Sequence, residues 1–147
     1  MLELMIVLTL AGITMAFAMV SFSGYFQRSS AKGAAQLFAR DLTLARATAV
    51  RTQQAVVIRF YESSRWYVVE TIESGTELVR RRFGANADID LSAIDLQFAG
   101  DSVTFDQHGI ADLSGASGSL GIARFSLGAI AYDVSFNSMG ASKVEEN

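Results

Sequence analysis

Few side chains in this sequence are placed to do chemistry, and Glu3 is the first of them. It precedes residues 4–27, 24 positions without a single charge. An acid at the head of such a run is expensive in hydrocarbon and is seldom kept without a use. Two readings stand: a carboxylate that meets a cation on a neighbouring molecule, or an interfacial acid left in water where a helix macrodipole favours it. His108 is the only histidine and lies between Asp106 and Asp112. A hydrolytic or metal role would need several groups converging on it. The sequence has no Cys, no HExxH, no Gly-rich phosphate loop and no nucleophile elbow. His108 therefore reads as a histidine on a surface turn. The acids Asp88 and Asp90, and Asp101 and Asp106, could offer oxygens to calcium, but their spacing lacks the ligand density of a calcium loop. They read as turn acids. Arg80, Arg81 and Arg82 suggest phosphate binding, with Arg124 as a further contributor. In a strand, however, Arg81 would oppose Arg80 and Arg82 across the sheet. An edge strand guarded by charge accounts for the same triplet. No catalytic group, metal site or cofactor site is expected.

The charge balance agrees with a binding or structural role. The net charge is -3, yet residues 28–54 hold five basic side chains against Asp41 alone, while residues 83–147 hold nine acids against Arg124 and Lys143. Such polarity suits attraction between subunits, or a surface for nucleic acid or lipid headgroups; charge on a solvated helix face is the commoner cause. The lack of cysteine leaves the redox compartment unmarked.

These residues need elements to position them. As a helix, residues 4–27 would extend about 36 Å, enough to cross a hydrocarbon core of about 30 Å. A buried core helix and a cleaved secretory signal compete with a membrane span. Ala16-Phe17-Ala18 has the small-x-small form of a cleavage site, but an acid stands where a basic n-region is expected. Arg28 and Lys32 follow the span with nothing basic before it, which taken literally would place the rest of the chain in the cytoplasm. Beyond the span, Phe38, Leu42, Ala45 and Ala49 recur at helical spacing, with Arg40, Thr43, Arg51 and Gln54 off that stripe. The composition of residues 28–52 favours helix, and no Pro interrupts it. One helix of about 50 residues is predicted, softened at Gly24 and Gly33.

After Gln54 the period changes to two. Residues 55–61 and 65–72 are β-branched and aromatic and are joined by Glu62-Ser63-Ser64, which predicts a hairpin. Further strands are predicted at 77–83, 94–98, 103–106, 120–127 and 130–136. Ser74-Gly75, Gly100-Asp101 and Gly128-Ala129 mark turns, and residues 112–119 read as a loop. Strands segregated after a long helix make the fold class α+β, with the helix packed on antiparallel sheets. The division is a segment 1–27 and a single domain 28–147, made of an amphipathic helix 28–54 and a β-region 55–147.

The opening Met1-Leu2-Glu3-Leu4-Met5-Ile6-Val7-Leu8-Thr9-Leu10-Ala11-Gly12-Ile13 resembles the N-terminal signature of type IV pilins and type II secretion pseudopilins. The helix stretch Leu42-Thr43-Leu44-Ala45-Arg46-Ala47-Thr48-Ala49 is similar to the Leu-x-x-Ala-Arg-x-x-Ala pattern of a narrower group, that of minor pseudopilin H and the minor pilin FimT. Val103-Thr104-Phe105-Asp106-Gln107-His108-Gly109 resembles that group's strand and turn, and residues 130–140 resemble its last strand.

The resemblance implies a non-enzymatic filament subunit. It would be anchored once in the bacterial inner membrane, with its domain in the periplasm, and would end at the tip or in the shaft of a filament. It also implies that Glu3 directs assembly and that Leu4, Ile6, Val7, Leu10, Gly12 and Ile13 pack against the helices of other pilins or pseudopilins. Gly12 and Ala16, four apart, would permit close approach. A prepilin peptidase would remove a basic leader ending in Gly, and the new amine would be methylated. No such leader precedes Met1 here. A start placed upstream, or a chain cut short, would account for this, and the leader's basic residues would resolve the orientation conflict. Two further departures are the absence of a helix Pro and a C-terminus, Gly140-Ala141-Ser142-Lys143-Val144-Glu145-Glu146, that lacks the group's basic element. The second weighs against the group's other role, DNA binding during uptake, for which Arg80, Arg81, Arg82 and Arg124 would be the phosphate contacts.

Overall fold

The computed structural model describes residues 2–84, 87, 89–98, 100–113 and 120–147, and of residues 17–23 the backbone only. A single helix, α1 (Leu2–Thr52), runs unbroken through Gly24 and Gly33. Its 51 residues make a rod of about 77 Å. The helix ends where Gln53 turns to the left-handed region at φ 53°, with its side-chain amide donating to Val50 O at 3.0 Å. That end comes two residues earlier than the sequence reading placed it.

Nine strands follow among the described residues: β1 (Val56–Tyr61), β2 (Trp66–Thr71), β3 (Glu77–Arg82), β4 (Ala93–Leu96), β5 (Ser102–Phe105), β6 (Ala111–Asp112), β7 (Leu120–Leu127), β8 (Ile130–Asn137) and β9 (Ser142–Glu146). They form two antiparallel sheets, ordered β3-β2-β1-β5-β6 and β4-β7-β8-β9. The β1–β2 hairpin closes through a short 3-10 turn at Glu62–Ser64, and Arg65 takes φ 53° to end it.

The C-terminal half of α1 lies against the inner faces of both sheets. Ala31, Ala34, Ala35, Phe38, Leu42, Ala45 and Ala49 are fully buried, the predicted stripe extended N-terminally by three alanines. Small residues at those positions let strand side chains approach the helix closely, while Phe38 fills the centre. Its ring meets Phe60 and Tyr67 from one sheet and Phe125 and Phe136 from the other, at centroid distances of 5.3–6.0 Å. Alternation along the strands completes this core: Tyr132, Val134 and Phe136 of β8 point inward, as do Ala123 and Phe125 of β7.

Two sequence expectations change. Gly100-Asp101 does not close a hairpin, because β4 belongs to the second sheet and β5 to the first. The exposed edge of β1 takes β5 as its partner, and Phe60 N–H donates to Asp101 O at 2.7 Å. The chain also does not finish its sheet near Gly140: that glycine turns at φ +71° and β9 pairs with β8. The expected loop 112–119 begins inside β6 at Asp112, and residues 114–119 lie outside the described residues.

Gly121 has a packing reason to be glycine. It faces Phe136 across the β7–β8 ladder, and a Cβ there would stand 2.5 Å from the ring's Cζ. Gly121→Ala is expected to destabilise the domain by about 1–3 kcal/mol through this overpacking, read as a lower urea midpoint at unchanged slope.

Candidate functional site

The described half of the N-terminal segment has no packing partner. Residues 2–16 are all exposed. Nine large apolar side chains between Leu2 and Met15 are half or more exposed, among them Leu4, Ile6, Val7, Leu10 and Ile13. Glu3 sits in the first turn of α1, and nothing lies within 4 Å of where a Cβ on Gly12 would be. Thr9 and Thr14 turn their hydroxyls back onto carbonyls three and four residues earlier, so their polarity is satisfied within the helix. The rod thus presents an almost wholly apolar surface whose exposed area far exceeds what an ordinary soluble surface carries. Among the described residues no helical stretch is long and apolar enough to cross a membrane. Residues 17–23, whose side chains lie outside the description, fall within the expected span.

Arg80, Arg81 and Arg82 border one open cavity, but Arg124 is on the other sheet and the triplet's side chains do not converge. Arg81 turns inward from β3. Its Nε donates to Asp41 Oδ2 at 3.0 Å and its Nη2 to Asp41 Oδ1 at 3.3 Å. Asp41 lies buried on the core stripe of α1 and also accepts from Tyr67 Oη at 2.8 Å. Arg80 points to the opposite face, where it pairs with Glu77 and lies over the Trp66 ring at 5.1 Å. Trp66 in turn stacks on Tyr61 with centroids 3.9 Å apart. Arg82 is exposed and has no acidic partner among the described residues. Arg124 is on the outer face of the second sheet, held in two hydrogen bonds by Asp133 at 2.8 and 2.9 Å. Those bonds hold the Asp133 carboxyl below the usual carboxylate range.

The reading from sequence missed Asp41. The available signal was an acid at helical spacing on the apolar stripe, three residues after Phe38. Burial, then the negative charge and hydrogen bond of Asp41, push the Tyr67 phenol far above its ordinary pKa. An unfolded tyrosine ionises near pH 10, so this group's stabilising contribution is complete below about pH 10 and falls as pH rises beyond it. The slope is about 1.4 kcal/mol per pH unit. Tyr67→Phe should therefore be less stable than the parent at pH 8, and the gap should narrow between pH 10 and 11.5 in urea unfolding. A gap that widens over that interval would reject the arrangement.

His108 is on a turn with its side chain 81% exposed. The neighbouring Asp106 carboxylate accepts the backbone N–H groups of His108 and Ile110, so it serves the turn. These bonds, that from Ile110 foremost, hold its pKa below the ordinary value. No group of His, Asp and Glu suited to a metal ion occurs among the described residues; Asp88, one of the calcium expectations, lies outside them.

The fold can be compared with known proteins at this point. The family model described as type II transport protein GspH matches residues 34–140, which spans the buried half of α1 and all strands but β9. The chain belongs to the GspH family. Its fold is type IV pilin-like. A crystal structure of the Pseudomonas aeruginosa type IV minor pilin FimU matches with TM-score 0.62 at 17% identity, over 82% of this chain and 92% of that one. The minor pseudopilin EpsH from the Type 2 Secretion System of Vibrio cholerae matches with TM-score 0.53 at 14% identity, over 80% and 97%. At such identities these structures speak for the fold. No curated protein matches in sequence.

Proposed function

We propose that this GspH-family chain is a minor subunit of a bacterial secretion pseudopilus or type IV pilus. It is held in the inner membrane by residues 4–22, with residues 28–147 as its periplasmic domain, and enters the filament through the N-terminal half of α1. The observation that carries the reading is the asymmetry of that helix. Its C-terminal half is the spine of a folded domain, whereas residues 2–16 expose large apolar side chains to no partner. Burying a side chain such as Leu4 or Ile13 is worth about 1.5–3 kcal/mol each. Lipid supplies that burial before assembly, and the helices of neighbouring pilins or pseudopilins supply it afterwards.

Glu3 is the assembly residue of this reading. Its carboxylate, at the edge of the apolar surface, meets the N-terminal amine of an adjacent subunit and sets the register of the incoming helix. Leu4, Ile6, Val7, Leu10, Gly12 and Ile13 form the packing surface behind it. Glu3→Leu and Glu3→Arg are expected to leave the domain folded, since nothing in the domain touches that turn, and to abolish incorporation. Pull-down of sheared filaments with an antibody to the domain measures this. Normal incorporation of Glu3→Arg would remove Glu3 from the mechanism.

A further inference from the structure

The basic residues that follow the apolar segment have a local structure of their own. Tyr25, Arg28, Ser29, Lys32 and Gln36 recur along one face of α1, and with Tyr132 and Glu146 they line an open groove of about 570 Å³. Arg28 Nη2 lies 2.8 Å from Glu146 Oε1, and Tyr132 Oη donates to Glu146 Oε2 at 3.0 Å. One carboxylate thus answers one of two cations. Lys32 is exposed and has no acidic partner among the described residues, so the groove keeps one uncompensated positive charge. Tyr25 and Phe26 stand just before it, 70% and 64% exposed and packed edge to face.

We propose that this groove seats the headgroup of an anionic phospholipid in the leaflet from which the domain emerges. Lys32 contacts the phosphate, and Tyr25 and Phe26 mark the boundary with hydrocarbon. The proposal rests on residues 4–22 being the membrane anchor. Counted from residue 22, Arg28 and Lys32 lie about 9 and 15 Å further along the helix. Helical side chains lean toward the N-terminus, which carries both cations back toward the headgroup layer. That layer occupies the outer several ångströms on each side of the hydrocarbon core. Exposed aromatic rings at the end of an apolar helix mark the level of a membrane–water interface. A single unanswered cation favours a headgroup with net negative charge over a zwitterionic one. The bridge from Arg28 to Glu146 fixes the groove's far wall, because Glu146 belongs to β9, the edge of the second sheet.

The test uses the full chain in nanodiscs of equimolar phosphatidylglycerol and phosphatidylcholine, with retained lipid counted by native mass spectrometry. One cation at an anionic surface is worth roughly a five-fold preference, so the parent should retain phosphatidylglycerol over phosphatidylcholine by about that factor. Lys32→Gln should bring the ratio near one, and Lys32→Arg should preserve it. Even retention by the parent, or an unchanged preference in Lys32→Gln, overturns the proposal while leaving the anchor intact. A chain that never enters the nanodiscs overturns the anchor itself, and the headgroup site with it.

Discussion

Arg81→Met is expected to destabilise the domain by about 3–5 kcal/mol, because it strands a buried carboxylate. Asp41 sits on the core stripe of α1 with its side chain 5% exposed, whereas the Arg81 side chain is 36% exposed. The two ends of the pair are therefore unequal. With Arg81 removed, the Tyr67 hydroxyl is the only side-chain donor left to Asp41 among the described residues. With Asp41 removed, the guanidinium can swing into water, so Asp41→Asn should cost less, about 1–3 kcal/mol. The triple variant Asp41→Leu/Tyr67→Phe/Arg81→Met should recover most of the single-variant loss, since a buried network replaced whole by apolar side chains is often neutral. Urea unfolding of the three variants, followed by the fluorescence of Trp66, tests the ordering. If Arg81→Met unfolds at the parent midpoint, the ion pair does not join helix to sheet. The same experiment bears on the expectation that Arg81 contacts DNA. A structural arginine changes stability, whereas a phosphate ligand on the surface changes salt-dependent binding with stability intact.

The second large effect is expected at Phe38. Phe38→Ala should cost about 3–5 kcal/mol, the range for deleting a buried aromatic ring. The cavity would open where α1 meets both sheets at once. Phe60, Tyr67, Phe125 and Phe136 all contact this ring, so neither sheet can close the gap without leaving the other. Phe38→Leu should cost roughly 1–2 kcal/mol, as most of the volume is kept. Thermal and urea unfolding of the two variants give the comparison. A loss below about 1 kcal/mol for Phe38→Ala would mean that the site collapses freely, contrary to its four-sided packing.

Both effects concern contacts that local pattern reaches only in part. The helix and most strands were legible from local pattern: the apolar stripe through Phe38, Leu42, Ala45 and Ala49, alternation in Ile130–Asn137, and the β-branched and aromatic run Val56–Tyr61. The final strand, Ser142–Glu146, was not, since it is a charged edge strand with only Val144 turned toward the core. The arginine triplet was half legible. Alternation alone places Arg81 opposite Arg80 and Arg82, but not on the side that holds an acid 40 residues earlier in the chain.

By itself, the sequence determined a long helix in two halves, one apolar and one amphipathic, followed by antiparallel strands. It also singled out Glu3, the acid before a charge-free run, because that judgement needs only neighbouring residues and the cost of charge in hydrocarbon. Tertiary structure alone decided that β4 and β5 belong to different sheets, that Arg81 serves the core through Asp41, and that Glu146 folds back to Arg28. Strand pairing and ion pairing depend on which surfaces meet after the chain closes on its core. That meeting is set by the sum of many weak contacts, and no local period records it.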